Sequence, residues 1–291
     1  MHGRIIKGIA GFYYVYADDG NTYECKAKGI FRKDRLKPMV GDEVTADILD
    51  ENEHIGNITG ILPRRNILIR PAAANVDQAL IVFALTHPEP NYTMLDKLLL
   101  QFSIQNVRAV IVFNKEDLVK DSDKEKVSGI YGKSGADLLF TCATKNQGID
   151  ELRSVLRGRL SCVAGPSGVG KSSLINCLQN EVKAETGDIS RKAERGKHTT
   201  RHSEIIPISD DTFIMDTPGF SSFDVLIDDP ETLKDHYEEF ISYTGCRFQP
   251  CSHTHEPDCM VKEAVERGQI SRERYDNYVL IYSELKNLRR Y

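Results

Sequence analysis

An α/β fold built from three modules is what the sequence predicts, and three features carry that expectation. From Gly3 to about Leu68, short alternating runs recur between turn signals; from 69 to 226, apolar β-rich runs end in glycine, asparagine or aspartate turns that lead into helical segments; beyond 227, three cysteines and a histidine lie between helical stretches. The expected boundaries are 1–68, 69–226 and 227–291, and 291 residues is too long for one average domain but suits three modules.

The first module reads as short strands separated by turns. From Gly3 on, Gly11 to Tyr16, Asp18 to Asn21, Thr22 to Lys26, Gly41 to Ile48 and His54 to Ile61 make up the pattern of short alternating strands with turn signals. Five short strands without a helix predict a small barrel of the OB type. Such barrels bind single-stranded or irregular nucleic acid through aromatic and basic surface groups. Tyr13, Tyr14 and Tyr16 could serve, although alternate members of that strand have to face the core.

In the second module, Arg108 to Phe113 is a β-rich run that ends in Asn114-Lys115-Glu116-Asp117, an N-K-x-D pattern. A carboxylate at Asp117 can accept both the N1–H and the 2-amino group of guanine, whereas adenine offers no such pair. Leaving a buried partner unpaired costs about 1–3 kcal/mol per group, enough to discriminate between bases. Lys115 is expected along the base, bracing the phosphate loop. A further run, Leu138 to Thr141, leads into Cys142-Ala143-Thr144, whose backbone N–H groups are placed to meet guanine O6.

Leu160 to Ala164 then reads as a strand, Ser173 to Leu178 as a helix, and between them lies Gly165-Pro166-Ser167-Gly168-Val169-Gly170-Lys171-Ser172-Ser173. This is the pattern G-x-x-x-x-G-K-[ST], in which backbone N–H groups wrap a polyphosphate, the lysine meets the β and γ phosphates, and the serine offers its hydroxyl to Mg²⁺. A helix N-terminus alone would attract an anion without catalysis. Thr212 to Asp216 forms another strand with an acid at its tip, followed by Thr217-Pro218-Gly219. Asp216 is expected to hold Mg²⁺ through a water and the Gly219 N–H to sense the γ-phosphate.

The base-reading elements precede the phosphate loop, and the metal and γ-phosphate elements follow it. A standard GTPase begins with the phosphate loop and ends behind the O6 element, so this order is that of a circularly permuted P-loop GTPase domain, a change tolerated where chain ends lie close together. Whatever follows residue 226 is then attached directly behind the γ-phosphate sensor.

The third module carries Cys246, Cys251, His253 and Cys259 at the spacing C-x4-C-x-H-x5-C. Three thiolates and one imidazole are a ligand set for a closed, structural Zn²⁺ site. His255 competes with His253 for the fourth position. Seven cysteines is an odd count and Met1 to Lys7 does not read as a secretory segment, so a reducing, cytoplasmic setting is expected. Cys25, Cys142, Cys162 and Cys177 are expected as small core residues. Helical spacing is seen from Glu231 to Phe240, Val261 to Arg267 and Arg272 to Leu288, with one packed face formed by Tyr275, Tyr278, Val279, Tyr282 and Leu285.

A net charge of −5 argues against a general polyanion binder, and no apolar run is long enough for a membrane span. Local basic clusters at Arg32 to Lys37, at Arg64 and Arg65 with Arg70, and at Arg191 to His198 favour contact with RNA.

Taken together, the barrel-like start, N-K-E-D, G-P-S-G-V-G-K-S-S, a basic H-T-T segment, D-T-P-G-F and the C-x4-C-x-H-x5-C cluster resemble the ribosome-small-subunit-dependent GTPase A (RsgA) family over essentially the whole chain. The resemblance implies a monomeric GTPase of late 30S subunit maturation that binds 16S rRNA, hydrolyses GTP when the subunit stimulates it and carries one zinc ion, with no membrane or DNA partner. Lys171 would offset charge at the β and γ phosphates; Ser172, Asp216 and a switch threonine, Thr200 in preference to Thr199, would serve Mg²⁺. Phe220 stands where many GTPases have a water-orienting glutamine, so intrinsic turnover is expected to be slow. His198 is the candidate for placing the water, the alternative being that it contacts only rRNA or solvent. Two other classes remain: an RNA-binding scaffold with a structural nucleotide site, separated by a hydrolysis assay with and without 30S particles, and a P-loop ATPase with a coincidental N-K-x-D, separated by nucleotide specificity.

Overall fold

A computed structural model of the chain describes residues 1–27, 31, 37–69, 71–186, 204–216, 227 and 229–288. In chain order the strands and helices are β1 (His2–Ile9), β2 (Phe12–Ala17), β3 (Thr22–Ala27), β4 (Glu43–Asp50), β5 (Ile55–Ile61), β6 (Ile67–Leu68), β7 (Ala73–Ala74), β8 (Gln78–Ala84), α1 (Tyr92–Ile104), β9 (Arg108–Asn114), α2 (Asp121–Tyr131), β10 (Asp137–Thr141), α3 (Ile149–Leu156), β11 (Leu160–Ala164), α4 (Lys171–Thr186), β12 (Glu204–Pro207), β13 (Phe213–Asp216), α5 (Met260–Glu266) and α6 (Arg272–Leu288). No helix among the described residues is long and apolar enough to cross a membrane. The chain divides into two compact units.

One unit comprises Met1–Gln78, Asp150–Ala164 and Leu174–Phe220. Its first five strands close into a barrel in the order β1-β2-β3-β5-β4. All pairings are antiparallel except β3 with β5. The alternation in the sequence explains the closure: in β2, Val15 and Ala17 point inward to meet Ile5, Tyr23, Cys25, Val44, Ala46 and Ile58. Tyr14 and Tyr16 face outward, Tyr14 donating to Glu24 (3.0 Å) and Tyr16 meeting Phe213 edge-on at 5.8 Å, while Tyr13 packs partly against the barrel core. In the same unit β11 runs parallel to β13, and β13 pairs antiparallel with β12. The buried Gln78 amide ties the start of β8 to this group by donating to Ser161 Oγ (2.9 Å) and the Val155 carbonyl (3.0 Å).

The other unit comprises Ala79–Ile149, Gly165–Ser173 and Ser221–Tyr291. Here the strand order is β10-β9-β8, with β9 and β10 parallel. Every residue of β8 is buried, the continuous apolar run expected of a strand covered on both faces. Asn91 caps α1 by accepting from the Met94 N–H (2.9 Å), and Leu95, Leu98, Leu99 and Phe102 form its buried face.

The C-terminal segment packs on α1 through Leu100 and forms one apolar cluster with Leu233, Tyr237, Phe240, Tyr275, Tyr278, Ile281, Tyr282 and Leu285. Of the helical face expected from the sequence, Tyr275, Tyr278, Tyr282 and Leu285 are core, and Val279 packs against it partly buried. The helix expected from Glu231 to Phe240 is instead two 3₁₀ segments, Pro230–His236 and Glu238–Phe240, parted at Tyr237 with φ −107° and ψ 95°. That extended residue turns the Tyr237 ring onto Phe240 (5.1 Å, stacked) and Tyr278 (5.0 Å, edge-on), contacts a continuous helix would not supply. Cys25, Cys142 and Cys162 are core residues, but Cys177 is only half-buried.

At the centre of this unit lies an ion network that no local pattern announces. The Arg274 guanidinium donates to Asp96 (2.6 Å) and Glu239 (2.7 and 3.2 Å), Asn277 donates to the second Asp96 oxygen (2.7 Å), and the guanidinium lies over Tyr237 (4.6 Å) and Tyr131 (5.5 Å). Burial works against the charge on Arg274, and the two carboxylates overcome it, holding the guanidinium protonated.

Candidate functional site

The phosphate-loop segment starts one residue past β11 and ends at the first turn of α4. Its glycines are there for space as well as for φ. Gly165 has φ +137°, and a Cβ on it would stand 2.1 Å from the Val82 carbonyl oxygen; on Gly170, at φ +94°, a Cβ would stand 2.3 Å from Asn114 Nδ2. Val169 is buried and anchors the loop, whereas Ser167, Gly168, Ser172 and Ser173 are exposed and Pro166 and Lys171 are half-buried. Lys171 Nζ donates to the carbonyls of Gly165 (2.8 Å) and Pro166 (2.6 Å), so its charge lies within the loop.

Asn114, the buried last residue of β9, connects three segments that are distant in sequence. Its Nδ2 donates to the Val169 carbonyl (2.9 Å), and its Oδ1 accepts from Thr141 Oγ1 (3.2 Å) and the Ala143 N–H (3.3 Å). Lys115 follows in the left-handed region at φ 65°, and its Nζ donates to the carbonyls of His87 (2.5 Å) and Gly168 (2.7 Å). Lys115 is thereby laid against the phosphate-loop segment. Glu116 points elsewhere, to Lys124 at 3.4 Å. Asp117 keeps its carboxylate at the rim: Cys142 Sγ donates to Oδ1 (3.1 Å) and Lys145 Nζ lies 3.3 Å from Oδ2. The Cys142 hydrogen bond, with Lys145 behind it, holds this carboxyl below the usual range, so it is ionised at neutral pH. The 142–147 turn is closed by the Cys142–Gln147 backbone pair, and the Ala143 N–H is the amide nearest the asparagine.

Asp216 is the last residue of β13, across the parallel ladder from Val163. Its carboxylate and the Ser172 hydroxyl are hard oxygen donors of the kind Mg²⁺ takes. His198, Thr199, Thr200 and Gly219 lie outside the described residues.

Cys246, Cys251, His253 and Cys259 are all buried, and their ligand atoms lie within 4.8 Å of one another. The separations are 3.9 Å for Cys246 to Cys259, 3.8 Å for Cys251 to Cys259, 3.7 Å for Cys246 Sγ to His253 Nδ1 and 3.3 Å for Cys259 Sγ to His253 Nδ1. Four ligands about 2.3 Å from a tetrahedral ion stand about 3.8 Å apart, so donor set and spacing both fit zinc. His255 is exposed and pairs with Thr254 Oγ1 (2.9 Å), outside the cluster. Burial pushes the Cys251 thiol up to about 12, raises Cys259 and lowers His253. A dication reverses that preference for the thiols and takes the imidazole in its neutral form. Backbone N–H groups of His253 and Met260 point at the sulfurs of Cys251 and Cys246 (3.4 Å each), and α6 holds the loop from behind, Tyr275 donating to the His253 carbonyl (2.9 Å) and Tyr278 to that of Ser252.

Sequence reasoning missed Lys145, Tyr275 and Tyr278 as parts of these sites, and Arg274 as the centre of the buried ion network. Lys145 stands one position past Cys142-Ala143-Thr144 and was within reach of a charge argument; Arg274 sits in a helix whose spacing announces only its apolar face.

The RsgA GTPase family profile matches residues 61–226, and that of the RsgA N-terminal domain matches residues 2–58. Among curated relatives, the small ribosomal subunit biogenesis GTPase RsgA of Agathobacter rectalis is 56% identical over 302 residues, with 100% of both chains covered. The protein of the same name from Caldanaerobacter subterraneus subsp. tengcongensis is 45% identical over 287 residues, covering 98% of this chain and 96% of the relative. Among solved structures, YjeQ from Thermotoga maritima superimposes with a TM-score of 0.81 at 35% identity, covering 98% of each chain. YloQ, described as a circularly permuted GTPase, gives 0.75 at 34% identity over 98% of this chain and 95% of its own. With a closed five-stranded barrel ahead of a permuted nucleotide fold, this chain belongs to the RsgA GTPase family.

Proposed function

We propose that this GTPase acts in late maturation of the small (30S) ribosomal subunit, binding GTP and hydrolysing it to GDP and phosphate when the subunit stimulates it. The observation that carries the nucleotide site is Asn114: one side chain hydrogen-bonds Val169 of the phosphate-loop segment and Ala143 of the O6 turn, so base-reading and phosphate-holding segments share a fixed geometry. In this reading Asp117 accepts the N1–H and 2-amino group of guanine, Lys115 lies along the base, and the amides from Gly165 to Ser173 wrap the phosphates. Lys171 leaves the loop carbonyls that now hold it and turns to the β,γ oxygens. Mg²⁺ held by Ser172, Asp216 and Thr200, with Thr199 as the alternative threonine, would neutralise charge on the β and γ phosphates. The zinc ligands Cys246, Cys251, His253 and Cys259 would fix the C-terminal loop, a structural task.

The proposed division is an RNA-binding barrel at 1–68, the permuted GTPase domain at 69–226 and a zinc-binding helical module at 227–291. The partner is the 30S subunit with its 16S rRNA, met by a monomer in the cytoplasm. Support for the partner is the name carried by relatives over the full length of the chain.

The test is multiple-turnover GTP hydrolysis with and without 30S particles, using the native chain and Lys171→Ala. Stimulation by the subunit that disappears in Lys171→Ala is expected. Turnover that 30S particles leave unchanged would favour a scaffold with a structural nucleotide site. Equal competition by ATP and GTP would remove the guanine assignment.

A further inference from the structure

Each carboxylate oxygen of Asp117 already has a side-chain partner in this structure, one from a buried residue and one from an exposed residue. Cys142, 1% exposed, donates to Oδ1 from the protein side, and Lys145, whose side chain is 56% exposed, holds Oδ2 from the solvent side. A base enters from solvent. The lysine is also presented by a tight turn: its N–H donates to the Cys142 carbonyl (3.1 Å), as does that of Gln147 (3.1 Å), with Asn146 in the left-handed region at φ 56°. The turn fixes where the lysine's main chain stands, and its ammonium lies 3.3 Å from Asp117 Oδ2.

We propose that Lys145 is a specificity-setting placeholder for the guanine edge, displaced from Asp117 Oδ2 by the 2-amino group when a guanine nucleotide binds. This rests on the assignment of Asp117 as the base-reading carboxylate. Guanine brings two donors, one for each oxygen, and because the base enters from the solvent side on which Lys145 stands, the 2-amino group takes the lysine's place at Oδ2. Hypoxanthine brings only N1–H, and with an inosine nucleotide Lys145 keeps Oδ2. The lysine thus weakens guanine binding by the strength of one exposed ion pair and leaves hypoxanthine binding untouched. It also lowers the occupancy of the site by guanine nucleotides while keeping the carboxylate paired between turnovers. Cys142 remains behind the carboxylate in either case and positions it.

The experiment compares Kd values of GDP and IDP for the native full-length chain and for Lys145→Met, which keeps side-chain length and removes the charge. Lys145→Met should bind GDP about two- to fivefold tighter, the range of an exposed ion pair, and should leave IDP unchanged. Raising salt should widen the GDP-over-IDP ratio of the native chain, because the ion pair is screened, and should not alter that ratio in the variant. The proposal is overturned if the variant binds GDP more weakly, as it would were the lysine to support the base face, or if GDP and IDP shift by the same factor. Failure of the underlying base assignment has a different signature: the native chain would then bind GDP and ADP equally, whatever Lys145→Met does.

Discussion

Replacing Arg274 with methionine tests what holds the C-terminal segment to α1. The substitution leaves two buried carboxylates without their shared guanidinium, Asp96 with a side chain 0% exposed and Glu239 at 3%. Breaking a buried pair by removing one partner costs about 3–5 kcal/mol, because the remaining charge has no solvent to turn to. Here two carboxylates lose one guanidinium, and its contacts over Tyr237 and Tyr131 go with it, so the upper part of that range is expected. Against a typical domain stability of about 5–15 kcal/mol this is a large fraction. The chain has no tryptophan, so circular dichroism or tyrosine fluorescence should follow urea unfolding, and the midpoint should fall at unchanged slope. Adding Asp96→Asn and Glu239→Gln to Arg274→Met removes the stranded charges and should restore more than half of the loss. A loss below about 1 kcal/mol in the single variant, or a triple variant less stable than the single one, would show that the network does not hold this unit together.

Asp117→Asn should exchange an acceptor for a donor, weakening GTP binding by about tenfold or more and improving that of xanthosine triphosphate, measured by competition. Elemental analysis of protein purified without chelator should find one zinc per chain, and Cys251→Ala should raise hydrogen exchange from Cys246 to Cys259 and in α6 more than in β8 and β9. His198→Ala should leave 30S binding in the GTP state intact while stimulated turnover drops about tenfold to a thousandfold, the range for a positioned polar group; turnover unchanged at saturating 30S would remove His198 from the chemistry.

The contiguous parts of the site were legible because their chemistry needs neighbouring residues. In the proposed reading, Gly165 to Ser173, Asn114 to Asp117 and the Cys246 to Cys259 cluster would each solve a local problem of wrapping an anion, reading a base edge or surrounding an ion, and spacing expresses such a task directly. The barrel was legible because a half-buried strand alternates, as β2 does with Val15 and Ala17. Arg274 was not, because its partner Asp96 lies 178 residues away and a buried ion pair leaves no periodic trace. Tyr237 was misread as helical for a related reason: its neighbours have helical spacing, and only packing on Phe240 and Tyr278 shows what an extended residue gains there. Lys145 fell between the two cases, since its charge was visible but its distance from Asp117 depends on how the 142–147 turn closes.

Asn114 ends β9 with one amide group serving two masters, and linkage thermodynamics gives that a definite sign. Ordering the Val169 carbonyl fixes the amide from one side, and ordering the Ala143 N–H fixes it from the other, so whichever fragment of a nucleotide binds first lowers the cost of ordering the site for the second. Guanosine and pyrophosphate, offered as separate molecules, should therefore bind with positive cooperativity, and the same factor should be found in either order of addition. Asn114→Ala should bring that factor toward one while leaving each fragment a measurable affinity of its own.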